Sequence, residues 1–196
     1  MRKTNVIIIL MALLSLVLIG CGSSSDNNKQ SNSNGKKYYS NSMISEDLVN
    51  GFKKQGMEVI DTRLVASPDK TIFVTFPKNY IVVRKINTSQ YVGIEPKTNE
   101  SISVFFFVNQ PKDKIIEYNT DDNAMQKMRE AFKKNNPSLA NKMDAIKINN
   151  KWFCVTASDG DLGYTTGNNK GTEVSISAPK ALKSDVTKML ETLDIQ

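Results

Sequence analysis

The chain predicts an α+β fold, a mostly antiparallel β-sheet packed with helices. Three observations carry that expectation. Apolar residues recur at every second position in runs such as TIFVTF, SISVFFFV and KWFCVTA, which is the period of a strand. The runs are joined by short turns rich in Asn, Asp, Pro and Gly, which favour hairpins and therefore antiparallel neighbours. Three other stretches, near 46–55, 121–135 and from Pro179 onward, place apolar residues at helical spacing instead.

Taken in order, the chain opens with Arg2 and Lys3, followed from Val6 to Ile19 by a run of fourteen residues that is apolar apart from Ser15. The run falls short of the roughly twenty residues that cross a bilayer core as a helix, and it matches the apolar region of an export signal. It ends in Leu18-Ile19-Gly20-Cys21, with Gly22 and three serines behind it. Here the chain resembles the bacterial lipoprotein signal, whose lipobox places Leu three residues before an invariant Cys and a small residue just before it. The resemblance implies that residues 1–20 are a signal peptide cleaved between Gly20 and Cys21. It also implies that Cys21 takes a diacylglyceryl thioether, with palmitate among its acyl chains. The expected address is the cell membrane, on its extracytoplasmic side, with the lipid as anchor. The plainer alternative is an ordinary secretory signal or uncleaved anchor, with Cys21 incidental.

Composition narrows the chemistry. The net charge is +6, and since Arg2 and Lys3 sit in the leader with no acid, the mature chain is nearer +4. That mild basic bias suits an anionic membrane surface or envelope polymer, and an exported chain is not expected to meet nucleic acid. There is no histidine, which excludes Ser-His-Asp and Cys-His catalysis and His-ligated metal. With Cys21 assigned to lipid, Cys154 has no cysteine left to pair with and is expected to be a small buried hydrophobe. Residues 21–42 read as the lipidated cysteine and a disordered tether, because GSSSDNNKQSNSNGKKYYSNS offers almost nothing to bury.

Residues 43–196 are the size of a single domain. Ser45 can cap a helix over about 46–55, with Glu46 and Asp47 at its positive end and Gly56 to stop it. Met57 to Val65 reads as one strand. After the turn Ser67-Pro68-Asp69-Lys70 comes TIFVTF, a strand burying either Ile72, Val74 and Phe76 on one face or Phe73 and Thr75 on the other. YIVVRKI, YVGIE and SISVFFFV follow, and the triple Phe predicts a central strand covered on both sides. Asp121 and Asp122 can start a helix to Asn135, with Met125, Met128, Ala131 and Phe132 on one stripe. AIKI, Asn149-Asn150 and KWFCVTA predict a hairpin, DGDLGYTTGNNKG a polar loop, and TEVSISA a strand. Leu182, Val186, Met189, Leu190 and Leu193 then make the stripe of a closing helix.

The strand ending Phe76-Pro77-x-x-Tyr80, the apolar SISVFFFV strand, the middle helix, the Trp152 hairpin and the final helix with Met189-Leu190 resemble the PsbP-like fold. That fold is shared by photosystem extrinsic proteins and DcrB-type bacterial lipoproteins. The resemblance spans most of residues 67–196 and implies an α/β/α sandwich used for binding or assembly, with no catalytic residues to carry over.

Two motifs bear on chemistry. Ser67-Pro68-Asp69-Lys70 matches the S-x-x-K pattern of penicillin-recognising serine enzymes, but that chemistry needs Ser opening a long buried helix, and here a strand follows at once. Asp159, Asp161, Asn168 and Asn169 offer oxygens to calcium, but the Gly and Glu of the EF-hand pattern are missing. No catalytic residue, cofactor or metal site is therefore expected. The leading expectation is a membrane-anchored, non-catalytic binding or assembly module with an envelope protein as partner. A small-ligand-capturing lipoprotein is the alternative, and a hydrolase working without histidine a third reading.

Overall fold

In a computed structural model of the chain, the structure describes residues 36–39, 42–110, 122–135, 137 and 142–196. The chain divides into two units, Met1–Asn34 and Gly35–Gln196, and every described residue belongs to the second. Gly20, Cys21, the leader and the spacer up to residue 35 lie outside the described residues. So do Asp121 and the side chains of Met128, Ala131 and Phe132.

The α+β expectation holds. Every strand pairing among the described residues is antiparallel. The strands are β1 (Lys36–Tyr39), β2 (Ser42–Ser45), β3 (Met57–Val59), β4 (Leu64–Ala66), β5 (Ile72–Thr75), β6 (Ile81–Lys85), β7 (Gln90–Ile94) and β8 (Ser101–Phe107). After the middle helix come β9 (Met143–Ile148), β10 (Lys151–Ala157), β11 (Asp161–Gly167), β12 (Glu173–Pro179) and the two-residue β13 (Asp194–Ile195). The helices are α1 (Glu46–Lys54), α2 (Asp122–Asn135) and α3 (Lys183–Glu191), the last entered through a 3-10 turn at Lys180–Leu182.

Eight strands form one sheet in the order β3-β6-β7-β8-β12-β11-β10-β9, and β13-β5-β4 form a second, three-stranded sheet. The chain thus leaves the large sheet after β3, makes the β4–β5 hairpin, and returns at β6. After β8 it crosses to the far edge through α2 and meanders back, so that β12 lands beside β8.

The core lies between the two sheets. Val82, Ile102, Val104, Phe106, Phe153, Tyr164, Val174 and Ile176 line one face of the large sheet, and Ile72, Val74 and Phe76 meet them from β5. Leu182, Val186, Met189, Leu190 and Leu193, the predicted stripe of the closing helix, complete the same cluster. On the opposite face a smaller cluster joins Ile44 and Val49 to Ile81, Val83 and Val92. α1 forms there as expected: Ser45 Oγ accepts from the Leu48 amide at 3.3 Å, and Gly56 stops the helix at φ +72°. At Asn149-Asn150 both residues are left-handed, φ 46° and 61°, as a two-residue hairpin with a primed turn requires.

Four expectations need correction. Met57–Val65 is not one strand. The chain leaves the large sheet after Val59 and enters the small one at Leu64, so its apolar residues serve two sheets. The strand covered on both faces is β6, where Ile81, Val82 and Val83 are all buried. β8 is central, but its second face is only partly covered: Phe105 is half-buried and Phe107 is 42% exposed, the two rings stacking on each other. DGDLGYTTGNNKG is largely a strand, because Leu162, Tyr164 and Thr166 alternate against the core while β10 and β12 supply partners on both sides. Finally, Lys36–Tyr39 pairs with Ser42–Ser45, so regular structure begins inside the stretch expected to be a disordered tether. A neighbouring strand satisfies backbone groups that composition alone leaves to water.

Candidate functional site

The two ends of β5 carry the polar chemistry of the small sheet. At its start, Ser67 Oγ donates to Asp69 Oδ1 at 2.5 Å and accepts from the amides of Thr71 and Ile72 at 3.1 and 3.0 Å. Thr71 and Thr172 donate their hydroxyls to the other carboxylate oxygen. Asn168 joins the cluster from the β11–β12 turn. Its Nδ2 donates to Thr71 Oγ1 at 2.9 Å, and its Oδ1 accepts from the amides of Lys170 and Thr172. Burial pushes the Asp69 carboxyl up, but the bonds from Ser67, Thr172 and Thr71 together outweigh it and hold the group below the usual carboxylate range. Ser67, Asn168 and Thr172 are buried.

This is where the S-x-x-K pattern lies. Ser67 opens a turn, its hydroxyl is engaged three ways, and Lys70 stands at φ +56° in that turn. The cluster is a brace between two turns, with its hydrogen bonds already made. The oxygens considered for calcium are not brought together. Asp161 opens the seven-residue β11 and Asn168 follows its last residue, about 23 Å away at strand rise. No group of three or more His, Cys, Asp or Glu poised for a metal occurs among the described residues.

At the other end of β5 the surface opens into a cleft of about 500 Å³. Its floor is Phe76, Tyr80 and Met189, all buried. Its walls are the turn Pro77-Lys78-Asn79, the start of the β7–β8 hairpin with Glu95 and Lys97, Arg63 ahead of β4, and the α3 face bearing Asp185, Lys188 and Thr192. Gly93 on β7 sets the depth. A Cβ there would stand 2.4 Å from Phe76 Cδ1 and 3.1 Å from Tyr80 Cδ1, so only glycine lets both rings lie against the strand.

The turns around the cleft are fastened. Arg63 Nη1 donates to the Phe76 carbonyl at 3.1 Å, where the chain leaves β5. Asn79 holds the left-handed φ of +72° that brings Tyr80 back under the floor. Tyr80 donates its hydroxyl to Asp185 Oδ2 at 2.9 Å, tying the turn to α3. Burial, then the Asp185 hydrogen bond and charge, push the Tyr80 phenol well above its usual range, so it stays a donor. Across the cleft, Glu95 Oε2 accepts from the Lys97 and Thr98 amides at 2.9 and 2.7 Å and from the Thr98 hydroxyl. Desolvation raises the Glu95 carboxyl, but the Thr98 and Lys97 bonds together with the Lys97 charge outweigh it and keep the group below the ordinary carboxylate range.

Both acids of the cleft are therefore turned onto partners within the fold, and so are Lys188 and one nitrogen of Arg63, while Lys78 and Lys97 are not. Lys188 reaches Asp185 at 3.4 Å and is largely exposed. Lys78 and Lys97 close no salt bridge among the described residues, and Arg63 keeps most of its guanidinium donors. Sequence reasoning named Phe76 as a face residue of its strand, and Pro77 and Tyr80 as part of a fold resemblance, none of them as part of a site. The cleft was missed because its walls come from positions 63, 78, 97 and 185–192, far apart in the chain.

Cys154 lies elsewhere, on the second face of the large sheet. It is half-buried rather than buried, and burial, followed by the charges of Glu173 and Asp144, pushes its thiol up. A raised thiol pKa makes for a less reactive cysteine. Nearby, burial also raises the Glu173 carboxyl.

No helix among the described residues is long and apolar enough to cross a membrane. No family model matches the chain, and no curated protein matches it. Among solved structures, a crystal structure of a protein from Bacteroides thetaiotaomicron VPI-5482 aligns at 13% identity and a TM-score of 0.43, over 69% of this chain and 48% of that one. The chain thus spans about half the length of that protein, and at this level of likeness neither fold nor function transfers.

Proposed function

We propose that this protein is an envelope lipoprotein, held on the extracytoplasmic side of the membrane by a lipid on Cys21, and that its folded part is a non-catalytic binding module. The cleft beside β5 is its binding surface. The observation that carries the reading is the cleft itself: a concave surface between the Pro77–Asn79 turn, the β7–β8 hairpin and α3, rimmed by Lys78 and Lys97, which close no salt bridge among the described residues. Its volume falls within the range of small-molecule sites, a few hundred to a thousand Å³. That favours capture of a small ligand, or of one protruding group of an envelope partner, over broad docking of a flat surface.

The leader supports the address, through Leu18, Gly20 and Cys21 in lipobox spacing. Two acyl chains anchor stably where one gives only marginal binding, so lipidation would hold the domain without a spanning helix. The finer fold reading, a PsbP-like α/β/α sandwich, draws support from α1 against one face of the large sheet and α3 in the cluster on the other.

The test is labelled palmitate in the native host. Label should enter the full chain and vanish in Cys21→Ser. Label that survives the substitution sinks the anchor. Recovery of membrane partners with the wild-type chain, and their loss when the cleft lysines are removed, tests the binding surface separately.

A further inference from the structure

One end of the large sheet gathers side chains that the cleft does not use. The turn Ile86–Ser89, between β6 and β7, is bonded to its neighbours on both sides. The Ile86 amide donates to the Gly56 carbonyl at 2.9 Å, where α1 stops, and the Phe106 amide donates to the Ser89 carbonyl at 3.0 Å, near the end of β8. The row continues where the Gln110 amide donates to the Gly171 carbonyl at 2.9 Å, in the β11–β12 turn. Two large apolar side chains stand out from this rim, Ile86 at 45% exposure and Phe107 at 42%. Around them are the exposed lysines Lys53 and Lys54 in the last turn of α1, Lys85 at the end of β6 and Lys170 in the β11–β12 turn. None of these lysines closes a salt bridge among the described residues. Two acids adjoin the rim. Glu58 is spent on Arg84, and Glu173, opposite Phe107, is half-buried with its carboxyl raised by burial. The turn is fastened in advance, since the Thr88 hydroxyl donates to the Lys85 carbonyl at 2.9 Å, which lowers the entropy cost of docking.

We propose that this rim docks on a bilayer containing anionic phospholipid, with Ile86 and Phe107 entering the headgroup region and Lys53, Lys54, Lys85 and Lys170 lying against the lipid phosphates. Lysines near an anionic leaflet need not converge on one anion, because the charge is spread over the whole surface. Interfacial binding also needs exposed apolar area, which Ile86 and Phe107 supply. A folded protein is the poorer match, since the cores of protein interfaces are depleted in lysine. An anionic polymer would use the charges and leave the two apolar side chains in water. The rim is distinct from the cleft and goes beyond it. Tyr80 of the cleft stands just before β6 and Ile86 just after it, about 20 Å apart at strand rise. Docking by the rim thus holds the cleft off the lipid, and the anchor at Cys21 serves only to bring the rim near the bilayer.

The experiment reconstitutes the full chain in vesicles and reads tryptophan quenching by lipids brominated in their acyl chains. Ile86→Trp puts an indole on the rim. Leu64→Trp puts one at an exposed position beside the cleft residue Arg63, and the unsubstituted chain gives the Trp152 background. In vesicles rich in phosphatidylglycerol, brominated lipid should quench the Ile86→Trp signal and leave the Leu64→Trp signal unchanged. In phosphatidylcholine vesicles, or in molar salt, the quenching should fade, because salt screens exposed charges. Lys53→Gln with Lys85→Gln should lower the docked-to-free ratio at least about tenfold, at roughly fivefold per lysine. Circular dichroism and thermal melting of that variant should match the unsubstituted chain, since both lysines are exposed and close no salt bridge among the described residues.

Absence of quenching in Ile86→Trp, or equal quenching in Leu64→Trp, overturns the proposal, as does quenching unmoved by salt and by the lysine substitutions. If soluble polyphosphate shields the rim lysines from acetylation while brominated lipid does not quench, the rim takes an anionic polymer and the bilayer proposal falls. Recovery of the chain with the vesicles reports the anchor and quenching reports the rim, so the two readings fail separately.

Discussion

The two ends of β5 both gather polar side chains and put them to opposite use. At one end Ser67, Asp69, Thr71, Asn168 and Thr172 satisfy one another, and the buried hydroxyls and amide have their hydrogen bonds made inside the cluster. At the other end Tyr80 and Asp185 are matched, Glu95 is matched within its turn, and Lys78 and Lys97 are left over. A satisfied polar cluster rigidifies and has little capacity for a ligand, whereas surplus donors over an apolar floor have affinity in reserve. Counting satisfied donors, rather than counting polar residues, separates a brace from a site.

That comparison can be broken or sharpened by substitution. The largest effect is expected at Phe76→Ala, since the ring is fully buried and serves both core and cleft floor: about 3–5 kcal/mol lost in denaturant unfolding. Should the loss be under 1 kcal/mol, the cleft floor would not be part of the core. Ser67→Ala strips an acceptor from two amides, one of them the buried Ile72 N–H, and should cost about 1–3 kcal/mol while leaving ligand binding unchanged. A loss of binding there would mean that the brace is part of the site. Tyr80→Phe removes one hydrogen bond between turn and helix, worth about 1 kcal/mol, and should loosen α3 in hydrogen exchange more than it alters the brace.

Asp69 gives the brace an acid signature. Its carboxyl titrates below its usual value of 3.8 in the folded chain, so its contribution is present above that value and is lost as pH falls through the lower folded one. Asp69→Asn should therefore lower stability at neutral pH and make the decline below about pH 4 shallower in acid unfolding curves. An unchanged acid slope would show that the bonds from Ser67 and Thr172 do not persist in solution. The smallest effect on stability belongs to Lys78→Ala with Lys97→Ala, within about 0.5 kcal/mol, because both are exposed and close no salt bridge among the described residues. A much larger loss would make them part of the fold.

Legibility in the sequence followed the range of the interaction. Period two in TIFVTF, the Ser45 cap with Gly56 and the α3 stripe are local patterns that stand where the residues placed them, whereas the choice of Ile72, Val74 and Phe76 as the buried face is made by the packing of the two sheets. The break at Ile60–Arg63 was illegible, because Asp61, Thr62 and Arg63 include no Gly or Pro to mark a turn and only the pairing of Val59 with Val83 and of Leu64 with Thr75 shows two sheets. β11 was hidden by its turn-prone residues and exists through its neighbours β10 and β12. β8 carried a correct signal, centrality, and a wrong one: bulk on both faces does not imply cover on both. The cleft was the least legible part, since it depends on Gly93 leaving room for rings that sit thirteen and seventeen positions away.

Gly93 also couples two properties that proteins often adjust separately. Any side chain there would press first on Phe76, hence on the core, and in the same movement lift the floor of the cleft. Variation at this position cannot trade shape selectivity against folding stability, because both change with one atom. Tuning what the cleft accepts is thereby confined to its rim, where Lys78, Lys97 and Lys188 can be exchanged while the strands beneath stay as they are.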